Sequence, residues 1–96
     1  MEKKKIDFCI GSFDNLSEEI LEKINNDINN SEIYVVGVYT DRVLIQNFFT
    51  QPINNFEKRM ETIKNIPGVK FAIELDTSDP DEIKEIIKKE TVKFLS

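Results

Sequence analysis

Two polar segments directly follow predicted strands, and their residue types could recognise a ligand. Gly11-Ser12-Phe13-Asp14 comes after the apolar run Ile6–Ile10, and Thr40-Asp41 comes after Ile33–Tyr39. The carboxyl ends of neighbouring parallel strands meet at one edge of an open α/β sheet, where ligands of such sheets bind. Turn and cap chemistry offers a second explanation, because glycine ends strands and aspartate caps turns and helices.

The residue types of the chain also exclude several kinds of chemistry. It contains no histidine, so no step can use imidazole as an acid, a base, a nucleophile or a metal ligand. The acidic pairs Glu18-Glu19 and Asp79-Asp81 lack the spacing of a calcium-binding loop, so no metal site is predicted. A formal net charge of −5 argues against a nucleic-acid partner, since affinity for a phosphate backbone comes from clustered lysine and arginine.

Cysteine content and hydropathy bear on the compartment. Cys9 is the single cysteine and cannot form an internal disulfide, which favours a reducing environment and predicts a cytoplasmic protein. No apolar stretch approaches the ~20 residues needed to cross a bilayer, so no membrane partner is expected. The start, Met1–Lys5, is followed by too short an apolar run for a signal peptide.

The candidate residues need a scaffold, and the apolar spacing predicts one domain over residues 1–96. The strands are predicted at Ile6–Ile10, Ile33–Tyr39, Phe71–Leu75 and Thr91–Leu95. The main helices are predicted from Ser17 to Asn29, from Phe56 to Pro67-Gly68 and from Asp79-Pro80 onward, with a short helix or turn at Asp41–Phe48. This alternation predicts an α/β fold, a Rossmann-like three-layer domain whose four-stranded parallel sheet has the order 3-2-1-4.

Three segments carry a family resemblance: Gly11–Leu16, Val36–Asp41 and Pro52–Met60. In order and spacing they resemble the cytidylyltransferase branch of the nucleotidyltransferase superfamily, such as glycerol-3-phosphate cytidylyltransferase. Those enzymes carry GTFDxxHxGH after strand one, VGVxTD after strand two, and a KPxxxxEERxxxL-like segment beyond. The resemblance covers roughly residues 5–80.

The resemblance implies a nucleotide site with a defined construction. A glycine turn lets the backbone approach a triphosphate, and the following helix points its amino end at the phosphates. The two histidines of His-x-Gly-His hydrogen-bond the phosphates as pyrophosphate leaves. Carried onto this chain, the implied ligands are CTP and Mg²⁺ if the protein is active. The implied nucleotide-binding residues are Gly11, Ser12, Phe13, Asp14, Thr40, Asp41 and Arg59.

The chain departs from the family where the chemistry takes place. The positions of His-x-Gly-His hold Ser17-Glu18-Glu19-Ile20, so both histidines are gone and no catalytic residue is predicted. The segment Gln46–Phe49 lacks the family's lysine and ends in an aromatic pair that predicts either core or a partner surface. Lys70 stands where an aspartate is common, and the family's Arg-Thr-x-Gly-Ile-Ser-Thr run has no match.

These departures leave three hypotheses. The leading one is a degenerate cytidylyltransferase-like domain without activity, retained for weak nucleotide binding, regulation or assembly, with a homodimer as one expected assembly. The alternative is an active enzyme that transfers CMP from CTP to a small phosphorylated alcohol such as glycerol 3-phosphate, using Arg59 with Lys3–Lys5 for the phosphates. The third is a structural module whose motifs are inherited scaffold. For Arg59 the competing explanation is a surface arginine paired with Glu57 or Glu61.

Overall fold

The sheet is parallel and has helices on both faces, as the alternation of elements predicts. The structure is a computed structural model that describes residues 6–95. Its elements are, in chain order, β1 (Ile6–Gly11), α1 (Glu18–Asn29), β2 (Ile33–Tyr39), α2 (Asp41–Asn47), α3 (Phe56–Lys64), β3 (Phe71–Leu75) and α4 (Pro80–Leu95). None of the described helices is long and apolar enough to span a membrane.

The central strand explains why the second apolar run of the sequence is nearly continuous. Strand β2 lies between β1 and β3, with Cys9 opposite Val36 and Val36 opposite Ala72. A strand covered on both faces and both edges has no solvent-facing side, so it needs apolar residues at successive positions. Gly37 interrupts that run because a Cβ atom there would lie 2.6 Å from Leu75 Cδ1.

The core has two layers, one on each face of the sheet. Helices α1 and α3 cover one face, and the buried residues of that layer are Phe13, Ile24, Tyr34, Val36, Val38 and Ile63. Helix α4 covers the other face, and the buried residues of that layer are Ile33, Val35, Ile73, Leu75, Ile83 and Ile87. The helices are therefore held by apolar stripes at helical spacing rather than by intrinsic propensity alone.

The predicted fourth strand and the order 3-2-1-4 are wrong, because the described sheet has three strands in the order β1-β2-β3. Residues 91–95 continue helix α4 instead. Ile83, Ile87 and Thr91 follow one another at every fourth position and are all buried. The buried face of the helix therefore continues into the segment that was predicted to be a strand. No glycine or proline interrupts the sequence after Pro80, and the strand-forming types Thr91 and Val92 remain helical.

Candidate functional site

Three segments meet at the carboxyl ends of β1 and β2, and one arginine side chain joins them. Arg59 extends from α3, and its side chain is only 1 % exposed. Its Nη1 atom donates to the backbone oxygens of Ser12 and Tyr39, both at 2.8 Å. A guanidinium group on α3 thus ties together the carboxyl ends of the two strands. We call Arg59 and the groups it contacts the carboxyl-end cluster.

The remaining contacts of Arg59 use most of its hydrogen-bonding capacity. Its Nε atom donates to the oxygen of Asn54 at 3.0 Å, and Nη2 donates to Asp41 Oδ1 at 2.6 Å. Four of the five guanidinium N–H groups therefore have protein acceptors. The ring of Phe56 lies 5.8 Å below the guanidinium carbon. The interpretation of Arg59 as a surface arginine paired with Glu57 or Glu61 is wrong.

Asp14 holds the loop that precedes α3. Its two carboxylate oxygens accept hydrogen bonds from the backbone N–H groups of Ile53 at 2.6 Å and Asn54 at 2.8 Å. The Asn54 side chain donates in turn to the Asp14 backbone oxygen. The N–H group of Ile53 above all, helped by Asn54, lowers the pKa of Asp14. The sequence places Asp14 directly after β1, but it does not reveal that the carboxylate oxygens of Asp14 bind the loop before α3.

The ring of Phe13 packs against the α-carbon of Gly11. Phe13 has a φ of 54°, a left-handed conformation that is uncommon for a bulky residue, and it folds its ring back over Gly11. A Cβ atom at Gly11 would lie 3.3 Å from the tip of that ring. The bare α-carbon of Gly11 therefore accommodates Phe13, which belongs to the core.

Two residues at this edge were not selected by sequence reasoning: Arg42 on α2 and Asp76 directly after β3. Thr40 caps α2 by accepting a hydrogen bond from Val43 N, and its hydroxyl donates to Asp76 Oδ1 at 2.7 Å. Arg42 forms an ion pair with Asp76 at 3.0 Å and lowers the pKa of that carboxyl. Asp76 follows β3 directly, just as Asp41 closely follows β2, and this position after a strand was the signal available in the sequence.

The amino end of α1 is an ordinary capped helix. Ser17 is the N-cap residue, and its Oγ atom accepts a hydrogen bond from Ile20 N at 3.3 Å. Glu18 and Glu19 follow in the first turn, where carboxylates interact favourably with the helix dipole. The four residues in place of His-x-Gly-His thus satisfy the helix itself and offer negative charge to any approaching ligand.

Charge at the carboxyl ends of the strands is dominated by carboxylates. The two arginines described there, Arg42 and Arg59, are each paired with an aspartate. Residues 6–95 hold no group of three or more cysteine, aspartate or glutamate side chains arranged to bind a metal ion. The described residues at this edge therefore lack the free cations and the metal ligands that a CTP–Mg²⁺ complex would need.

The loop between α2 and α3 presents apolar side chains to solvent. The ring of Phe48 packs at 5.0 Å from that of Tyr39, whereas Phe49 is 91 % exposed and has a φ of 52°. Ile53 is also largely exposed. Of the two alternatives for the aromatic pair, Phe49 therefore fits an exposed surface and not the core.

Comparison with known proteins supports the fold and leaves the family open. A scan against protein-family models and a search of curated proteins each found no match. Among solved structures, the chain is similar to the lipopolysaccharide core biosynthesis protein from Thermoplasma volcanium GSS1, with a TM-score of 0.74 and 21 % identity. The match covers 88 % of this chain and 69 % of that chain. At this identity the likeness shows a shared α/β fold, and the cytidylyltransferase resemblance stays a prediction.

Proposed function

We propose that this chain is a degenerate cytidylyltransferase-like domain that does not catalyse transfer and acts by binding, in regulation or assembly. The observation that carries the proposal is the state of Arg59. Its side chain is buried, and four of its N–H groups already bond to protein oxygens. An arginine in that position stabilises the fold and has little capacity left for a substrate phosphate.

The charges around the site support the same proposal. Glu18 and Glu19 occupy the helix turn that would face a triphosphate. Two like unit charges at ~4 Å repel by about 1–4 kcal/mol in water-like to surface-like surroundings, which weakens binding about fivefold or more per close pair. Any nucleotide is therefore expected to bind weakly, at the carboxyl ends of the strands near Gly11, Asp14 and Thr40.

The enzyme alternative would require cations that the described residues do not supply. Transfer of CMP to a phosphorylated alcohol depends on positioning and on stabilising the charge of departing pyrophosphate. Arg42 and Arg59 are both engaged with carboxylates, and Lys3–Lys5 lie outside the described residues.

A turnover assay tests the proposal directly. Purified protein is incubated with CTP, Mg²⁺ and glycerol 3-phosphate, and pyrophosphate release is measured against a reaction without the acceptor. We expect no release above that control. Release that depends on the acceptor would overturn the proposal and support the enzyme alternative.

A repair variant tests whether the anion site was closed at α1. The triple substitution Ser17→His, Glu19→Gly and Ile20→His removes one carboxylate and restores two imidazoles. Hydrogen bonds to charged groups contribute about 1.5–3 kcal/mol each, so CTP affinity should rise about tenfold or more. The added glycine costs about 1 kcal/mol of stability, and replacing Ile20, which is 37 % exposed, also loses part of its burial.

Thermal-shift titration with CTP compares the triple variant with the parent chain. Without ligand the variant should have a lower melting temperature than the parent, and CTP should raise that temperature by more than it does for the parent. Glu22→Gly serves as a matched control, because it places a glycine in the same helix without touching the candidate site. A folded triple variant with no gain over the parent would contradict the account of an anion site closed by Ser17–Ile20.

A further inference from the structure

A second surface lies away from the carboxyl-end cluster, along the outer edge of β1. A groove of about 370 Å³ runs between this strand and α4. Its apolar walls include Ile6, Phe8 and Ile87, and the first two are 44 % and 46 % exposed despite their size. We call this the β1–α4 groove. Exposed apolar side chains grouped along a groove typically mark an interaction site.

The groove contains a buried polar atom that lacks a partner. Thr91 lies on α4, is 6 % exposed and lines the groove. Its Oγ1 atom has no hydrogen-bond partner among the described residues. An unsatisfied buried hydroxyl costs about 1–3 kcal/mol, so this atom marks a locally unfavourable point in the packing beside the groove. It is enclosed in the free chain, so the apolar walls, the strand edge and the lysines are the features that indicate an occupant.

The edge of β1 offers backbone groups beside the same groove. Within residues 6–95, β1 pairs with β2 on one side and with no strand on the other. The Phe8 N–H group donates to the carboxylate of its neighbour Asp7 at 2.9 Å instead of to a strand. An unpaired strand edge is a template for a further strand, which would bring a backbone carbonyl to this N–H.

The charges around the groove favour an acidic segment over a second copy of the chain as its occupant. Lys84 and Lys88 line it from α4, and neither forms an ion pair with any residue of the described part of the chain. Pairing β1 with a second copy around a two-fold axis would bring both lysine pairs to the same face of the joined sheet. It would also join two chains that each carry a net charge of −5. An extended segment with carboxylates avoids both repulsions and neutralises the lysines.

We propose that the β1–α4 groove binds an extended acidic segment of a partner protein, which adds to β1 as a fourth strand. Its groove-facing side chains are apolar where they meet Phe8 and Ile87, and acidic at two neighbouring positions that meet Lys84 and Lys88, which lie about one helical turn apart on α4. The inference goes beyond the proposed function, and it stands whether or not CTP binds at the carboxyl ends of the strands.

Fluorescence anisotropy with a labelled, capped heptapeptide, Val-Thr-Val-Thr-Glu-Thr-Glu, tests this site, because its two glutamates lie about 7 Å apart, close to the spacing of Lys84 and Lys88. Its alternate residues place two glutamates and two valines on one face of a strand. Two surface ion pairs together provide about 1–2 kcal/mol, so it should bind about tenfold tighter than the same peptide with lysines for glutamates. Replacing Lys84→Glu and Lys88→Glu together should reverse that preference. A preference that the charge reversal leaves unchanged would overturn the proposal.

Two further variants locate the peptide without disturbing the core. Phe8→Ser should weaken binding about tenfold by removing apolar wall, whereas Ile53→Ser, a truncation of a more exposed apolar residue in the α2–α3 loop, should leave it unchanged. If neither peptide binds at about 1 mM, the proposal is overturned. It is also overturned if light scattering shows that the parent chain is a dimer and that Phe8→Ser converts it to a monomer, because a second copy of the chain then covers the groove.

Discussion

Arg59 and Thr91 are the buried polar residues of the described core, and they lie on helices that cover opposite faces of the sheet. Arg59 carries a full charge, yet protein oxygens surround it. Thr91 carries only a hydroxyl, yet that hydroxyl has no partner among residues 6–95. A buried polar group is normally satisfied, so the first site is complete in the isolated chain and the second is not. The contrast distinguishes an edge whose buried charge is satisfied within the chain from a groove beside which a buried hydroxyl is not.

Replacing Arg59 should give the largest loss of stability. Arg59→Met leaves three backbone oxygens and the partly exposed carboxylate of Asp41 without their donor. An unsatisfied buried group costs about 1–3 kcal/mol, so the oxygens together account for a loss of about 3 kcal/mol or more even if solvent offsets the loss at Asp41. The matched control is Arg42→Met, which breaks an ion pair whose side chains are both about half exposed and should cost far less, because solvent screens exposed ion pairs. Urea unfolding of both variants and the parent measures the difference.

A second substitution keeps this test decisive if Arg59→Met fails to fold. Arg59→Lys retains the charge for Asp41 but cannot reach all the backbone oxygens at once, so its stability should lie between the other two. Equal stability of Arg59→Lys and the parent would mean that charge alone matters and that the carbonyl bonds do not hold the strand ends together.

Much of the scaffold could be predicted because it follows from local rules. Strand Ile33–Tyr39 has the predicted bounds, since a strand covered on both faces leaves an unbroken apolar run. The meeting of Ser12 and Asp41 near Arg59 follows from parallel strands ending at one edge. The predicted strand Thr91–Leu95 failed because strand-forming residue types are overridden when a buried helical stripe continues without a breaker.

What could not be predicted depends on side-chain direction. The sequence places Arg59 three residues after Phe56, but nothing local says that its guanidinium turns inward to the oxygens of Ser12 and Tyr39. The pairing of Arg42 with Asp76 spans most of the second half of the fold and appears only when α2 and β3 are packed together. The groove likewise forms only because α4 lies beside β1, whereas residues 91–95 of α4 were predicted to be a strand.

The same substitution at two threonines should have opposite effects of intermediate size. Thr40→Val removes an N-cap and a hydrogen bond to Asp76, which should cost about 1–2 kcal/mol. Thr91→Val replaces an unpartnered buried hydroxyl with a methyl group of similar volume and should stabilise the chain by up to about 1 kcal/mol. Urea midpoints of both variants provide the check. A destabilised Thr91→Val would show that its hydroxyl is satisfied in solution and would weaken the contrast.

The smallest expected effect concerns acid and Asp14. Because its pKa is lowered in the folded chain, chiefly by the Ile53 N–H group, the folded state favours the carboxylate. The resulting stability is complete above the ordinary aspartate pKa of about 3.9 and is lost as the pH falls through the lower folded value. Asp14→Asn keeps a single acceptor. Between about pH 7 and pH 3 it should therefore lose less stability than the parent loses, and the difference between the two losses should be under about 1 kcal/mol.

Salt separates Asp14 from the other aspartate with a lowered pKa. The partners of Asp14 are backbone N–H groups, whereas Asp76 owes its lowered pKa mainly to the exposed guanidinium of Arg42. At about 1 M NaCl the Debye length shrinks to about 3 Å, so the acid effect at Asp76 should shrink while that at Asp14 persists. Urea midpoints of Asp14→Asn and Asp76→Asn at both pH values, in low and high salt, give the comparison. Equal salt sensitivity of the two would mean that the cation of Arg59, and not the loop N–H groups, governs Asp14, which would extend the influence of the buried arginine beyond its own hydrogen bonds.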